Sequence, residues 1–265
     1  LNDTHDDLDH TPADDVLITP VTAPAGNIER YNGVWLPFKD EITHNSEDTS
    51  ALLEDGVNIV AIGIELCRND TVVECHGEDY VKRAINAFHS AGIRTFVMLN
   101  PAHPYFDQHG AEEITPLVIK WAGICEEYGV HMFAPANEPQ LLGEKDEVDR
   151  WADDLLPRIR AAYGGITAFR VHSDAEGFDD YGLEGYDLIV FSGYTCTADI
   201  TGLPDHLEEV LLDKVSAVES TWPEKDYILF DMGAFTGPVH YWFDPVAPAN
   251  VEENMPGMDA YFFTV

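Results

Sequence analysis

The chain predicts an α/β domain of the (β/α)8 TIM-barrel class, and three observations predict it. Short apolar runs suited to buried parallel strands alternate with amphipathic segments from about residue 31 onward. Strand starts at 58, 94, 131 and 166 lie 35 to 37 residues apart, the repeat of one βα unit. No Gly-rich phosphate turn follows the first strand, as an open dinucleotide-binding sheet would require.

Taken in order, the strands are expected at Gly33–Phe38, Asn58–Leu66, Arg94–Asn100, His131–Ala136, Ile166–His172, Asp187–Tyr194 and Tyr227–Asp231, with Tyr261–Val265 as the eighth. Helical spacing joins Val81, Ala84, Ile85 and Phe88 in one intervening segment. The same spacing joins Ile114, Leu117, Val118, Trp121, Ile124, Cys125 and Tyr128 in the next, and Leu207, Val210, Leu211, Val215 and Val218 in a later one. Residues 1–30 are acidic, rich in Pro and Thr, and without sustained periodicity, which predicts an arm; residues 31–265 form the barrel. The chain ends where the eighth strand runs, so its covering helix is missing. Either the N-terminal arm takes that place or the chain is a trimmed one.

Charge excludes several functions. The chain has 265 residues, 49 acidic against 14 basic, for a formal net charge of −35. Phosphate backbones and anionic membrane surfaces would be repelled, so neither nucleic acid nor a membrane is an expected partner. No apolar run approaches the ~18 residues of a membrane span. The acids are spread without EF-hand spacing, which points to a solvated surface suited to high salt, where self-repulsion is screened.

Four cysteines occur. Cys67 and Cys75 are eight positions apart in one loop, close enough to close a disulfide ring, whereas Cys125 falls on the apolar face of a helix as a buried thiol. No CxxC pair or Cys/His set at zinc spacing appears, and neither metal nor cofactor is expected. Sequons begin at Asn2 and Asn69, candidate glycosylation sites. With a first residue, Leu1, that is not Met, these features predict a secreted or cell-surface address.

A barrel's chemistry sits where its strands end. The fourth strand ends in Ala136-Asn137-Glu138-Pro139. A carboxylate directly after a buried strand is costly without a partner, although Glu138 also precedes the next helix and suits its N-terminus. Asn-Glu-Pro in this place resembles the acid/base motif of the retaining glycoside hydrolases with (β/α)8 barrels, the clan that includes cellulases and β-mannanases. The resemblance implies that Glu138 protonates the glycosidic oxygen while Asn137 bonds the sugar 2-hydroxyl. It also implies a nucleophilic Glu at the end of the seventh strand, where this chain has Phe230-Asp231-Met232-Gly233.

Asp is shorter by about an ångström, and retaining carboxyls stand ~5–5.5 Å apart against ~6.5–9.5 Å in inverting enzymes. Asp231 is therefore a nucleophile, an inverting base, or part of a barrel that only binds sugar. Tyr194, ending the sixth strand, matches a Tyr that hydrogen-bonds the nucleophile in many family members. His103 after the third strand and His172 at the end of the fifth are candidate sugar contacts or satisfied structural histidines. Glu65, ending the second, is a third cleft carboxylate or the partner of Arg68 or Arg94. Trp35 is a sugar platform or, more simply, core. The leading expectation is a cofactor-free glycoside hydrolase acting on a β-linked carbohydrate. Its rivals are a non-catalytic sugar-binding or structural barrel and a metal-dependent hydrolase using His103, His172 and Asp231.

Overall fold

A computed structural model describes residues 18–25, 31–68, 72–101, 110–171, 181–196, 212–213, 215–235 and 262–264. For 68, 140–141, 192–196, 229, 231–235 and 262–264 it describes the backbone only. The strands are β1 (Asn32–Leu36), β2 (Ile59–Arg68), β3 (Val72–Glu74), β4 (Arg94–Asn100), β5 (Met132–Ala134), β6 (Ile166–Val171), β7 (Leu188–Cys196), β8 (Asp226–Phe235) and β9 (Phe262–Thr264). The helices are α1 (Lys39–Glu47), α2 (Ser50–Glu54), α3 (Asp79–Ser90), α4 (Ala111–Tyr128) and α5 (Lys145–Ala162), with a further one over 215–221.

One curved sheet runs in the order β8-β7-β6-β5-β4-β2-β1-β9. From β1 to β8 every neighbouring pair is parallel. This is the TIM-barrel class. The eighth position corrects the expectation in one respect: β9 pairs antiparallel with β1, Gly33 opposite Phe263, and lies alongside β8. A short strand can close the ring in either direction, because it needs only to satisfy the open edge of β1.

Period-two alternation explains how the strands divide their side chains. Ile59 and Ala61 of β2, Phe96 and Met98 of β4, Ala168 of β6, Val190 of β7 and Ile228 and Phe230 of β8 fill the barrel interior. The alternate residues Val60, Ile62, Val97, Phe133, Phe169 and Ile189 pack outward onto the helices. Val81, Ala84, Ile85 and Phe88 of α3 meet them there, as do Ile114, Val118, Trp121 and Cys125 of α4. Helix α4 stops at Gly129, whose φ of 66° suits a residue without Cβ and whose N–H returns to the Glu126 carbonyl at 3.2 Å.

The N-terminal side of the barrel is closed by polar contacts. Tyr31 Oη lies 2.9 Å from His131 Nε2, and burial together with the Arg94 guanidinium pushes the imidazole down from 6.5 to about 4. Residues 18–25 run across α3 and α4. Val21 N–H donates to Asn86 Oδ1 at 2.8 Å, and Tyr128 Oη donates to the Ile18 carbonyl at 2.6 Å. This part of the arm therefore lies over the second and third βα units, away from the eighth-helix position beside β1.

Candidate active site

The C-terminal ends of β2, β4, β5 and β6 bring together a polar belt above an aromatic floor. Glu138 is its centre. It follows β5 with φ 52° and ψ 57°, and among the described residues it is the one non-glycine with positive φ. That left-handed conformation costs roughly 1–2 kcal/mol for a residue with a Cβ and is characteristic of functional turns. The sharp turn is tied down by Asn137 N–H, which donates to the Leu99 carbonyl of β4 at 2.6 Å.

Glu138 does not serve as a cap. It precedes a 3-10 turn, Pro139–Leu142, and its side chain makes no capping hydrogen bond. Its Oε1 instead stands 3.1 Å from Nη1 of Arg170, a β6 residue only 1% exposed. The guanidinium lies 5.0 Å from the centroid of Phe230, and Phe230 packs edge-on against Trp35 and Phe96. Trp35, at 6% exposed, is thus part of the floor, as its core alternative implied; Gly63 leaves it room, since a Cβ there would come within 2.8 Å of the indole.

Asn137 is buried beside Glu138. Its Nδ2 donates to Asn100 Oδ1 at 3.2 Å, and Asn100 Nδ2 donates to the Pro37 carbonyl at 3.4 Å. Its Oδ1 is buried and finds no donor among the described residues, a costly state for an amide acceptor. Such an acceptor suits a hydroxyl brought by a ligand.

Glu65 aligns with Asn100 in the β2–β4 register. Its Oε2 accepts from Lys39 N–H at 3.2 Å and lies 3.2 Å from His76 Nε2, while the side chain of Arg68, one of its expected partners, lies outside the described residues. His76 is a site residue that sequence reasoning missed. It follows β3, a short strand antiparallel to the end of β2, and Cys67 and Cys75 are joined by a disulfide across this hairpin. Glu74 Oε1 accepts from Trp121 Nε1 at 2.9 Å and from Lys120 Nζ at 2.6 Å, fixing the hairpin to α4.

The seventh barrel strand is longer than expected. Asp231 lies within β8, not at its end, because pairing continues through Met232–Phe235 opposite Gly193–Cys196. Tyr194 likewise lies within β7, opposite Gly233. Phe191 pairs with Leu229 and Gly193 with Met232, so Phe230 and Asp231 together face one residue, Ser192, across a β-bulge. Bulges re-aim strands beside active sites. His103, His172, Asn2 and Asn69 lie outside the described residues.

No protein-family model matches the chain, and no curated protein matches its sequence. Solved structures do. A β-1,4-mannanase of glycoside hydrolase family 113 superposes with a TM-score of 0.55 at 17% identity, over 76% of this chain and 71% of that one. The family 113 β-mannanase of Alicyclobacillus acidocaldarius gives 0.55 at 16% identity, over 76% and 70%. A family 5 glycoside hydrolase from Bacteroides vulgatus gives 0.52 at 16%, over 75% of this chain and 46% of that one. The chain therefore shares the (β/α)8-barrel fold of these enzymes.

Proposed function

We propose that the protein is a glycoside hydrolase that cleaves a β-linked poly- or oligosaccharide with two carboxyl groups and no cofactor. Glu138 is the general acid and then the base, and Asp231 is the nucleophile. The observation that carries this reading is the pairing of a strained Glu138 at the end of β5 with a buried Asn137 whose Oδ1 lacks a donor among the described residues. A sugar 2-hydroxyl supplies that donor while the adjacent carboxyl reaches the glycosidic oxygen.

In the first step Glu138 gives its proton to the leaving oxygen as the C1–O bond breaks and Asp231 closes on C1. Water then attacks C1, giving its proton to Glu138 and displacing Asp231. Strict alternation after Ile228 and Phe230 would fix each following β8 residue by parity. The bulge at Phe230–Asp231 lifts that constraint and supports a catalytic role for a residue shorter than Glu. Tyr194, one strand away, is the orienting partner in this scheme. The hairpin disulfide supports an extracellular address.

One observation favours a second reading. Glu138 is ion-paired with a buried arginine, and a carboxylate so held also accepts hydroxyl hydrogen bonds without chemistry, as a sugar-binding barrel would use it.

Hydrolysis of neutral β-glucans, mannans, xylans and galactans by the wild type and Glu138→Gln tests the proposal. Loss of at least about a thousandfold in the variant is expected, on the scale of general acid–base catalysis combined with leaving-group protonation. Folded wild-type protein that binds these glycans and cleaves none would leave the binding reading.

A further inference from the structure

We infer that Phe38, Glu65 and His76 form a subsite for a neutral pyranose unit on the β1–β2 side of the barrel mouth. The inference rests on the glycosidase reading for its cleft and extends it to the class of sugar. Phe38 follows β1 directly and is 50% exposed, while Trp35 and Leu36 before it are buried. Among the described residues it is the one exposed aromatic side chain. A half-exposed phenyl ring leaves apolar surface in water, and a pyranose presents an apolar C–H face that can cover it.

The polar groups gathered beside the backbone of Phe38 are complementary to the sugar's edge. Lys39 N–H, the next peptide along, reaches Glu65 Oε2 at 3.2 Å, which sets that carboxylate beside the Phe38 backbone. His76 Nε2 stands 3.2 Å from the same oxygen, and its ring packs edge-on against Tyr80 at 5.8 Å. Together they offer a carboxylate acceptor and an imidazole to hydroxyls that both donate and accept. Glu41, one turn into α1, has its carboxyl pushed up chiefly by burial, partly offset by the Phe38 backbone N–H and reinforced by Glu65. Glu65, Glu41 and a net charge of −35 repel uronates and sulfated sugars, which selects a neutral unit.

The place is contiguous with the candidate catalytic residues. Pro37, immediately before Phe38, accepts from Asn100, which in turn accepts from Asn137 next to Glu138. The disulfide hairpin and its Glu74–Trp121 contact hold His76 in position, so the subsite is preformed.

The test is kcat/KM on neutral β-linked oligosaccharides from disaccharide to hexasaccharide, with direct titration of the same sugars. The proteins are wild type, Phe38→Ala, Phe38→Trp, His76→Ala and, as a control, Leu53→Ala on α2. Phe38→Ala should lose about tenfold on the longer sugars, the upper range for a lost aromatic contact, with a smaller loss on the disaccharide. Phe38→Trp should retain activity and Leu53→Ala should match wild type. Hydrolysis by wild type that Phe38→Ala and His76→Ala leave intact overturns the subsite and spares the glycosidase. Absent hydrolysis with binding weakened in Phe38→Ala sustains the subsite in a binding barrel, and absent binding overturns both.

Discussion

Arg170 Nη1 stands 3.1 Å from Glu138 Oε1, from a strand position that is almost wholly buried, with its guanidinium over the ring of Phe230. The arrangement fixes a carboxylate on a strained turn from below, through a residue that itself cannot move. Removing one partner of a buried pair leaves the other uncompensated, typically at 3–5 kcal/mol, whereas removing both is far milder. Arg170→Met should therefore lower stability by about 3 kcal/mol, discounted because Glu138 retains some solvent access. The double variant with Glu138→Gln should recover most of that loss. Urea unfolding of the three proteins measures it, and equal losses in the single and double variants would show the pair to be energetically idle.

The same contact makes a kinetic prediction. As a positioning residue, Arg170 replaced by Lys should reduce kcat more than KM and displace the basic limb of the pH–rate profile, the limb set by a general acid, because an ammonium cannot keep the planar geometry of the guanidinium. A purely structural arginine would reduce active protein without moving the profile.

Much of this arrangement was legible in the sequence, and the exceptions have physical causes. Arg94–Asn100 was read to the residue because both of its faces are buried and its apolar run is unbroken. The short strand β3 was missed: three residues inside a disulfide loop carry no periodicity to detect. The reversed direction of β9 depends on closure of the ring, which no local pattern encodes. Glu138 is marked in the sequence by its motif and its position after a strand, and the structure adds its left-handed backbone and its ion pair with Arg170. Arg170 carried a usable signal, a charge inside Ile166–Val171 that needs a buried partner, yet the apolar pattern of that run hid it. The bulge at Asp231 lies in pairing between two strands and was beyond any reading of one.

Asp231 separates the mechanistic alternatives. As the nucleophile, Asp231→Asn should abolish hydrolysis, falling by about a thousandfold or more, and the wild type should release product with the anomeric configuration of its substrate. Asp231→Glu should keep part of the activity, since it restores the residue common in the resembling clan. Inverted product in the first moments of reaction, followed by NMR, would instead make Asp231 a base acting through water.

His131 gives stability a definite pH dependence. Burial and Arg94 lower its imidazole from 6.5 to about 4, so between those values the unfolded chain binds more protons than the folded one. Stability contributed by the neutral imidazole is complete above about pH 6.5, declines as pH falls through this window, and levels off below about 4. His131→Gln, which keeps a partner for Tyr31, should flatten that segment of the melting-temperature curve relative to wild type. His89, also lowered chiefly by burial, leaves a residual slope in the variant. Parallel curves for the two proteins would show that His131 titrates alike in the folded and unfolded chains.

The hairpin disulfide should matter for both stability and the sugar site. Cys67 and Cys75 are eight residues apart, and closing so short a loop removes chain entropy worth about 2.5 kcal/mol from the unfolded state. The double variant Cys67→Ser/Cys75→Ser should be less stable by about that amount. The end of β2 and the strand β3 would then be held by three paired residues and the Glu74 contacts alone, which loosens His76 against Glu65. KM for the longer oligosaccharides should rise while kcat, which the proposed mechanism assigns to Glu138 and Asp231 on other strands, stays close to wild type. A fall in kcat with KM unchanged would mean that the hairpin supports the reacting groups and not the binding of distant sugar units.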